Sequence, residues 1–207
     1  MKVEISQGRQ ASKSRETRDK ILHSTISLIR EGGFSAASSK RIADRAGMTW
    51  GAAQHHFGSK EQILQAVIQV SHRKYLARLS DMSVDQGTIA DRVSLLVDRM
   101  WEHYQDEVYL AAVEIIMAGR DLDPRATQIA AFETPSPDHA ALMQRIFGDS
   151  GASESDLLEA LIFTHCLLTG LTIQKMLEGE VDRLDRHLGR CKTMLEAMIV
   201  ESTAGRS

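Results

Sequence analysis

Proline and cysteine are scarce in this chain, with three of the first and two of the second in 207 residues, and aromatic side chains make up only 5%. Few prolines leave long helices uninterrupted, and alternating β-branched runs are also rare, so the balance tips towards helix. Cys166 and Cys191 lie inside apolar helical patterns with no ligand spacing between them. Free thiols in a reducing compartment are a simpler reading than a disulfide scaffold, and the spacing does not suggest a metal site. Met1 to Lys20 holds no apolar run of the kind a secretory signal needs. No stretch approaches the roughly 18 to 20 apolar residues of a membrane span. A soluble, cytoplasmic protein is the expectation. Catalytic signatures are missing too: no G-x-S-x-G, no H-E-x-x-H, no glycine-rich phosphate loop and no C-x-x-C. The chain is therefore not expected to be an enzyme or to need a cofactor or metal. What remains is ordinary for a globular protein, 43% hydrophobic and 26% charged, and long enough to bury a core without staples.

The net charge of −3 hides an asymmetry. Residues 1–60 carry 11 Lys+Arg against 5 Asp+Glu, a balance of +6; the remainder carries 14 against 23, a balance of −9. A basic head on an acidic body suggests that only the head meets a polyanion.

Leu22, Ile26 and Ile29 recur at helical spacing and predict a helix from about Arg15 to Arg30, stopped by Gly32-Gly33. Residues 1–13 ahead of it read as unstructured. A short helix over about Ser39 to Ala46 follows, with Ser38 or Ser39 as N-cap. Gly47 breaks it, and Thr49 caps a second short helix through Phe57. Ser59-x-x-Gln62 has capping-box spacing and opens a long helix to about Leu79. Ser80 to Gly87 reads as a linker. Further helices are predicted at about 88–104, 107–119, 124–133, 137–147, 153–178 and 182–201. Asp123-Pro124 and Ser136-Pro137 each pair an N-cap with proline at the first helical position.

Two short helices joined by Ala46-Gly47-Met48-Thr49, behind a supporting helix, form a helix-turn-helix over 37–57. Ile42, Ala43 and Phe57 turn inward in this reading, with Met48 plugging the turn. The second short helix then projects outward, at a width suited to the roughly 12 Å major groove of DNA. Within residues 15–68, the run SSKRIADRAGMTWGAAQHHFGSKEQIL resembles the DNA-binding domain of the tetracycline-repressor (TetR/AcrR) family, through the skeleton IA–AG–T–G–HHF–SKE–L. The resemblance implies an all-α protein: a tri-helical DNA-binding domain followed by a larger helical ligand-binding and dimerisation domain. It divides the chain into a flexible basic arm at 1–14, the helix-turn-helix domain at 15–60, a connecting helix at 61–80 and the ligand-binding and dimerisation domain at 81–207. It assigns Ser38, Ser39 and Lys40 to the phosphate-facing start of the first short helix. Thr49, Trp50, Gly51, Gln54 and His55 fall on the recognition helix, and Lys60 at the backbone contact after it. Gln54 stands where relatives usually carry a phosphate-bonding tyrosine, and Ala53 where they carry a larger apolar residue. Glutamine can bond a phosphate or read an adenine edge, so both roles stay open at 54.

Trp50 has two readings. One is a platform on the sugar-phosphate or a thymine methyl, and the other is packing against the first helices. His55 and His56 do not face each other on a helix and cannot jointly hold an ion, with His56 the more core-facing. Arg9, Lys13, Arg15 and Arg18 form either an arm on phosphate or the minor groove, or a solvated tail.

In the body, His165-Cys166 looks like a thiol–base pair, but neighbours on a helix point apart. Leu184, Leu188, Cys191, Leu195 and Met198 step by four and three, and Leu161 and Leu168 mark the preceding helix. Such a seam suits helix-to-helix packing, either between subunits or within one core. The resemblance implies the first, a homodimer on a palindromic operator. It also implies a cavity for a small-molecule effector within 88–147, lined by Met100, Trp101, Tyr104, Glu114, Met117, Phe132 and His165. A repressor that lets go of DNA on binding this effector is the function expected. An architectural DNA-binding protein without a ligand is the alternative.

Overall fold

A computed structural model describes residues 2–80, 86–119 and 137–204, with side chains described over 11–80, 86–119 and 137–201. Among the described residues every regular element is helical. The elements are α1 (Lys2–Gly32), α2 (Ser39–Arg45), α3 (Trp50–Phe57), α4 (Lys60–Ser80), α5 (Ile89–Tyr104), α6 (Glu107–Gly119), α7 (Pro137–Phe147), α8 (Glu154–Glu178) and α9 (Leu184–Ala204). The helix expected at 124–133, with Phe132, lies outside the described residues, as does most of the linker after Ser80.

The first helix departs from expectation. It starts at Lys2, ahead of Arg15, because the segment between holds no proline and one glycine, Gly8, and nothing there stops the helix running back. The caps follow the sequence closely. Ser38, Thr49, Thr88 and Ser153 each accept a backbone N–H from the third residue on. Thr88–Asp91 and Ser153–Asp156 close complete capping boxes.

Packing sorts the helices into two compact units. The first holds α1 to Ser71 together with α6, and the second holds His72 to Asp106 with α7, α8 and α9. The first unit's core joins Ile21, Ile29, Ile42, Ala53, Phe57, Ile63 and Val67 to Val108, Ala111, Ala112 and Ile115 of α6. Arg30 of α1 reaches Glu114 of α6 at 3.3 Å, and burial raises the Glu114 carboxyl above the usual range.

In the second unit Leu96, Met100, Tyr104, Met143, Phe147, Leu161, Leu168, Cys191 and Leu195 are buried. Arg92 is buried among them, 5% exposed. It donates to the Ile146 carbonyl at 2.5 Å and grips Asp149 at 2.6 and 3.0 Å. The Ile146 carbonyl and the Asp149 carboxylate take up the charge and the two terminal nitrogens of this buried guanidinium, while its Nε is left without a hydrogen-bond partner.

The seam read from spacing in α9 is filled only in part from within the chain. Leu161, Leu168, Cys191 and Leu195 are each 5% exposed or less, and Leu184, Leu188 and Met198 are half-buried. A four-three repeat specifies a helix partner without naming it, and here α9 packs on α8 and α5. Burial pushes the Cys191 thiol up to about 11, which leaves it a small apolar side chain. Between Glu159 and Lys175, α8 carries no charged residue. By length and composition alone it could cross a membrane, with a mean hydropathy of 1.5 over its most apolar window and 39% of that window buried. This corrects the expectation that no stretch approaches the length of a span: the polar Thr, His and Gln of α8 break the apolar run without adding charge.

Candidate nucleic-acid interface

The first unit presents α3 as a short, firmly held helix. Met48 and Trp50 pack half-buried on the core, Ala53 is wholly buried and Phe57 nearly so. Gly47 turns the chain between α2 and α3 at φ 71°, where a Cβ would be strained. Thr49 accepts the Ala52 N–H at 3.3 Å, and Gly58, at φ 83°, returns its N–H to the Gln54 carbonyl at 2.6 Å. With every third or fourth residue inward, the outward face is Gly51, Ala52, Gln54 and His55, all exposed.

The residues expected around this face are distributed as follows. Thr49 and Lys40 are exposed, while Ser38 and Ser39 are half-buried at the start of α2. Ser38 accepts the Arg41 N–H at 3.4 Å, so its hydroxyl is already engaged as a cap. Lys60 opens α4 half-buried, its ammonium 5.0 Å from the Phe34 ring centre. Trp50 follows the packing reading in part: the indole leans on the core and keeps only some of its surface outside. A large ring at the first position of α3 finds that core because α3 packs against it along its inner face, through Ala53 and Phe57. His56 is the more buried of the two histidines, as its place on α3 requires.

Arg45 forks onto Glu31 at 2.5 and 2.6 Å, which ties α2 to α1 and holds the Glu31 carboxyl below its usual range. Arg18, read from sequence as arm or tail, instead crosses from α1 to α3. Its guanidinium donates to the His56 carbonyl and lies 3.9 Å from the Phe57 ring centre. No motif marks this contact in the sequence, since 38 residues separate the partners.

The effector residues fall in different places. Met100 is wholly buried and Trp101 half-buried on α5. The Tyr104 hydroxyl bonds to His165 Nδ1, which answers the thiol–base question: His165 engages a phenol, and Cys166 is exposed. Glu114 and Met117 belong to the first unit, Glu114 paired with Arg30 and Met117 51% exposed. Among the described residues no group of three acidic, histidine or cysteine side chains could hold a metal ion.

Comparison with known proteins decides what the head is. Residues 21–67 match the model of bacterial regulatory proteins, tetR family. The HTH-type transcriptional regulator UidR of Escherichia coli K12 is 34% identical over 175 residues, 84% of this chain and 87% of that one. The chain belongs to the TetR family. Similar folds include a transcriptional regulator from Pseudomonas aeruginosa PAO1, at a TM-score of 0.68 and 17% identity over 90% of this chain and 92% of that one. Salmonella enterica GusR gives 0.65 and 20%, over 91% and 96%. As a TetR-family member the chain is a DNA-binding transcriptional regulator, and α3 is the second helix of its helix-turn-helix.

Gly51 separates the two duties of α3. A Cβ built there meets nothing within 4 Å. Gly51→Ala is therefore expected to leave the free protein as stable or up to ~0.5–1 kcal/mol more so, since glycine is a poor helix former. Specific DNA affinity should fall if, as the resemblance implies, this exposed face is the one that meets the groove. Thermal unfolding beside DNA titration checks this; a variant unchanged in affinity removes position 51 from the interface.

Proposed function

We propose that this TetR-family regulator is a homodimeric repressor that leaves a palindromic operator when a small molecule binds its body. Residues 15–60 read DNA, with 1–14 ahead of them. The helix over 61–80 connects, and 81–207 senses and dimerises. Ser38, Ser39, Lys40 and Lys60 hold the phosphates. Thr49, Trp50, Gly51, Gln54 and His55 face the groove. The observation that carries the reading is the outward face of α3, where the polar side chains of Gln54 and His55 are exposed, His55 edge-on to His56, on a helix whose inner face packs on a core.

One short helix reads too few base pairs for regulation, and two-fold pairing doubles the site. The exposed apolar residues Ile162 (46%), Met194 (48%) and Val200 (45%), with Cys166 and Gly170 between, support pairing through α8 and α9. With the half-buried Leu184, Leu188 and Met198 they make the surface a partner would cover, in place of the buried Leu161, Leu168, Cys191 and Leu195. Ile162→Arg is expected to yield a monomer by sedimentation with at least ~10-fold weaker operator binding, as the two half-sites lose their linkage. A variant that stays dimeric moves the interface elsewhere.

The effector would meet Trp101, Tyr104 and His165. The route to the head would run along the chain from α5 through Gln105-Asp106 into α6, whose Glu114 holds Arg30 of α1. Effector and DNA then oppose each other reciprocally, each weakening the other by one coupling free energy.

The test is titration of the purified protein against DNA from upstream of its own gene, beside a scrambled duplex, at several salt concentrations. Selective binding with a steep salt slope is expected. Equal binding to both duplexes would favour the architectural alternative.

A further inference from the structure

Arg18 is exposed on α1, yet its side chain is committed to the rear of α3. The last carbonyls of a helix lack intrahelical donors. In α3 the Gln54 carbonyl receives the Gly58 N–H, and the His56 carbonyl receives Arg18. Stacking on Phe57 at 3.9 Å fixes the plane of the guanidinium, and its charge complements the negative end of the helix. So α3 is held at three points: the Thr49 cap in front, Ala53 and Phe57 beneath, and Arg18 behind. Gln54 and His55 lie between the front and rear holds. A small rotation of α3 about its axis displaces both side-chain tips from any base edge they read, and such contacts tolerate only about 10–20°.

We propose that Arg18 is a positioning residue for base reading, which sets the rotation of α3 in the groove and does not itself bind phosphate. The inference rests on α3 being the helix that meets DNA. It separates Arg18 from the basic residues around it: their charge serves affinity for any duplex, and Arg18 serves discrimination between duplexes.

The experiment uses a duplex selected by the wild-type protein from a random-sequence pool, with a scrambled duplex of the same composition. Wild type, R18M and R18K are titrated on both at several salt concentrations, with helix content followed by circular dichroism. R18M keeps the apolar stem over Phe57 but loses the charge and the donor. It should lose about tenfold on the selected duplex, in line with a lost charge-assisted hydrogen bond. On the scrambled duplex it should stay within about twofold of wild type, and the slope of log affinity against log salt should be unchanged. R18K keeps the charge without the planar fork and should remain several-fold weak on the selected duplex alone. Equal losses on both duplexes, with a slope smaller by ~0.9, would make Arg18 a phosphate contact and overturn the proposal. So would full recovery in R18K, or no effect in R18M. Should R18M lose helix content, R18K decides by the same two readouts. A wild type that selects no duplex removes the reading of α3 and this inference with it; one that selects a duplex while both variants match it removes this inference only.

Discussion

Acidification from pH 7.5 to pH 5 is expected to destabilise the second unit by roughly 3 kcal/mol, well before its carboxylates are protonated. The cause is a run of rings through that unit: His72 and His139 at 5.4 Å, Tyr75 against His139 and His103, and His103 beside Tyr104, which bonds to His165. Burial drives the pKa of His103 down to about 4, with the Arg78 and Lys74 charges lowering it further and Asp106 opposing. His165 is driven to about 4 by burial and by His139, and His139 itself is lowered. These imidazoles are neutral in the fold and near 6.5 when unfolded, so the unfolded chain binds more protons between the two values. Their stability is whole above about pH 6.5 and is lost as pH falls towards 4. Asp149, Asp91 and Glu31 have lowered values, so their contributions fade only at still lower pH. Glu114, with a raised value, works weakly the other way. For a chain of this length the thermal midpoint should drop about 6–12 °C between pH 7.5 and pH 5. The double variant His103→Gln, His165→Gln should be less stable at pH 7.5 and nearly flat across the same window. A wild-type midpoint that does not move over this range would mean that both rings are solvated.

The second large effect is on DNA. Gln54→Ala with His55→Ala is expected to weaken binding to the selected operator by about 100–1000-fold, from the ~1–3 kcal/mol that each base-edge contact contributes. Affinity for scrambled DNA should change little if both side chains read bases. If Gln54 instead bonds a phosphate, the Gln54→Ala single variant will lose similar amounts on both duplexes. Both positions are exposed and touch no core, so the unfolding free energy should stay within ~0.5 kcal/mol of wild type. Normal specific binding by the double variant would move the reading function off α3.

Local chemistry made most of the helices legible. The Gly47 turn, the Ser38 and Thr49 caps and the Gly58 stop are decided by groups within four residues of each other, so α2, α3 and the start of α4 fell where spacing put them. The same holds for α5, α6, α7 and α8, whose ends shift by a residue or none. Trp50 shows the limit. A two-turn helix does not reveal whether a neighbour stands over its first residue, and here the first unit's core does.

What the sequence determined by itself was therefore the family, the all-helical class and the outward face of α3, because periodicity, caps and turns act over short stretches of chain. Tertiary structure alone decided three things. It packed α6 into one compact unit with the helix-turn-helix, it turned Arg18 from an arm or tail residue into a contact on α3, and it buried Cys191 and Leu195 of the α9 seam inside the chain, leaving Ile162 and Met194 outside. Each depends on which helices meet across tens of residues. An apolar stripe or a long basic side chain specifies what it needs for a partner, and only the packed fold supplies which partner it gets.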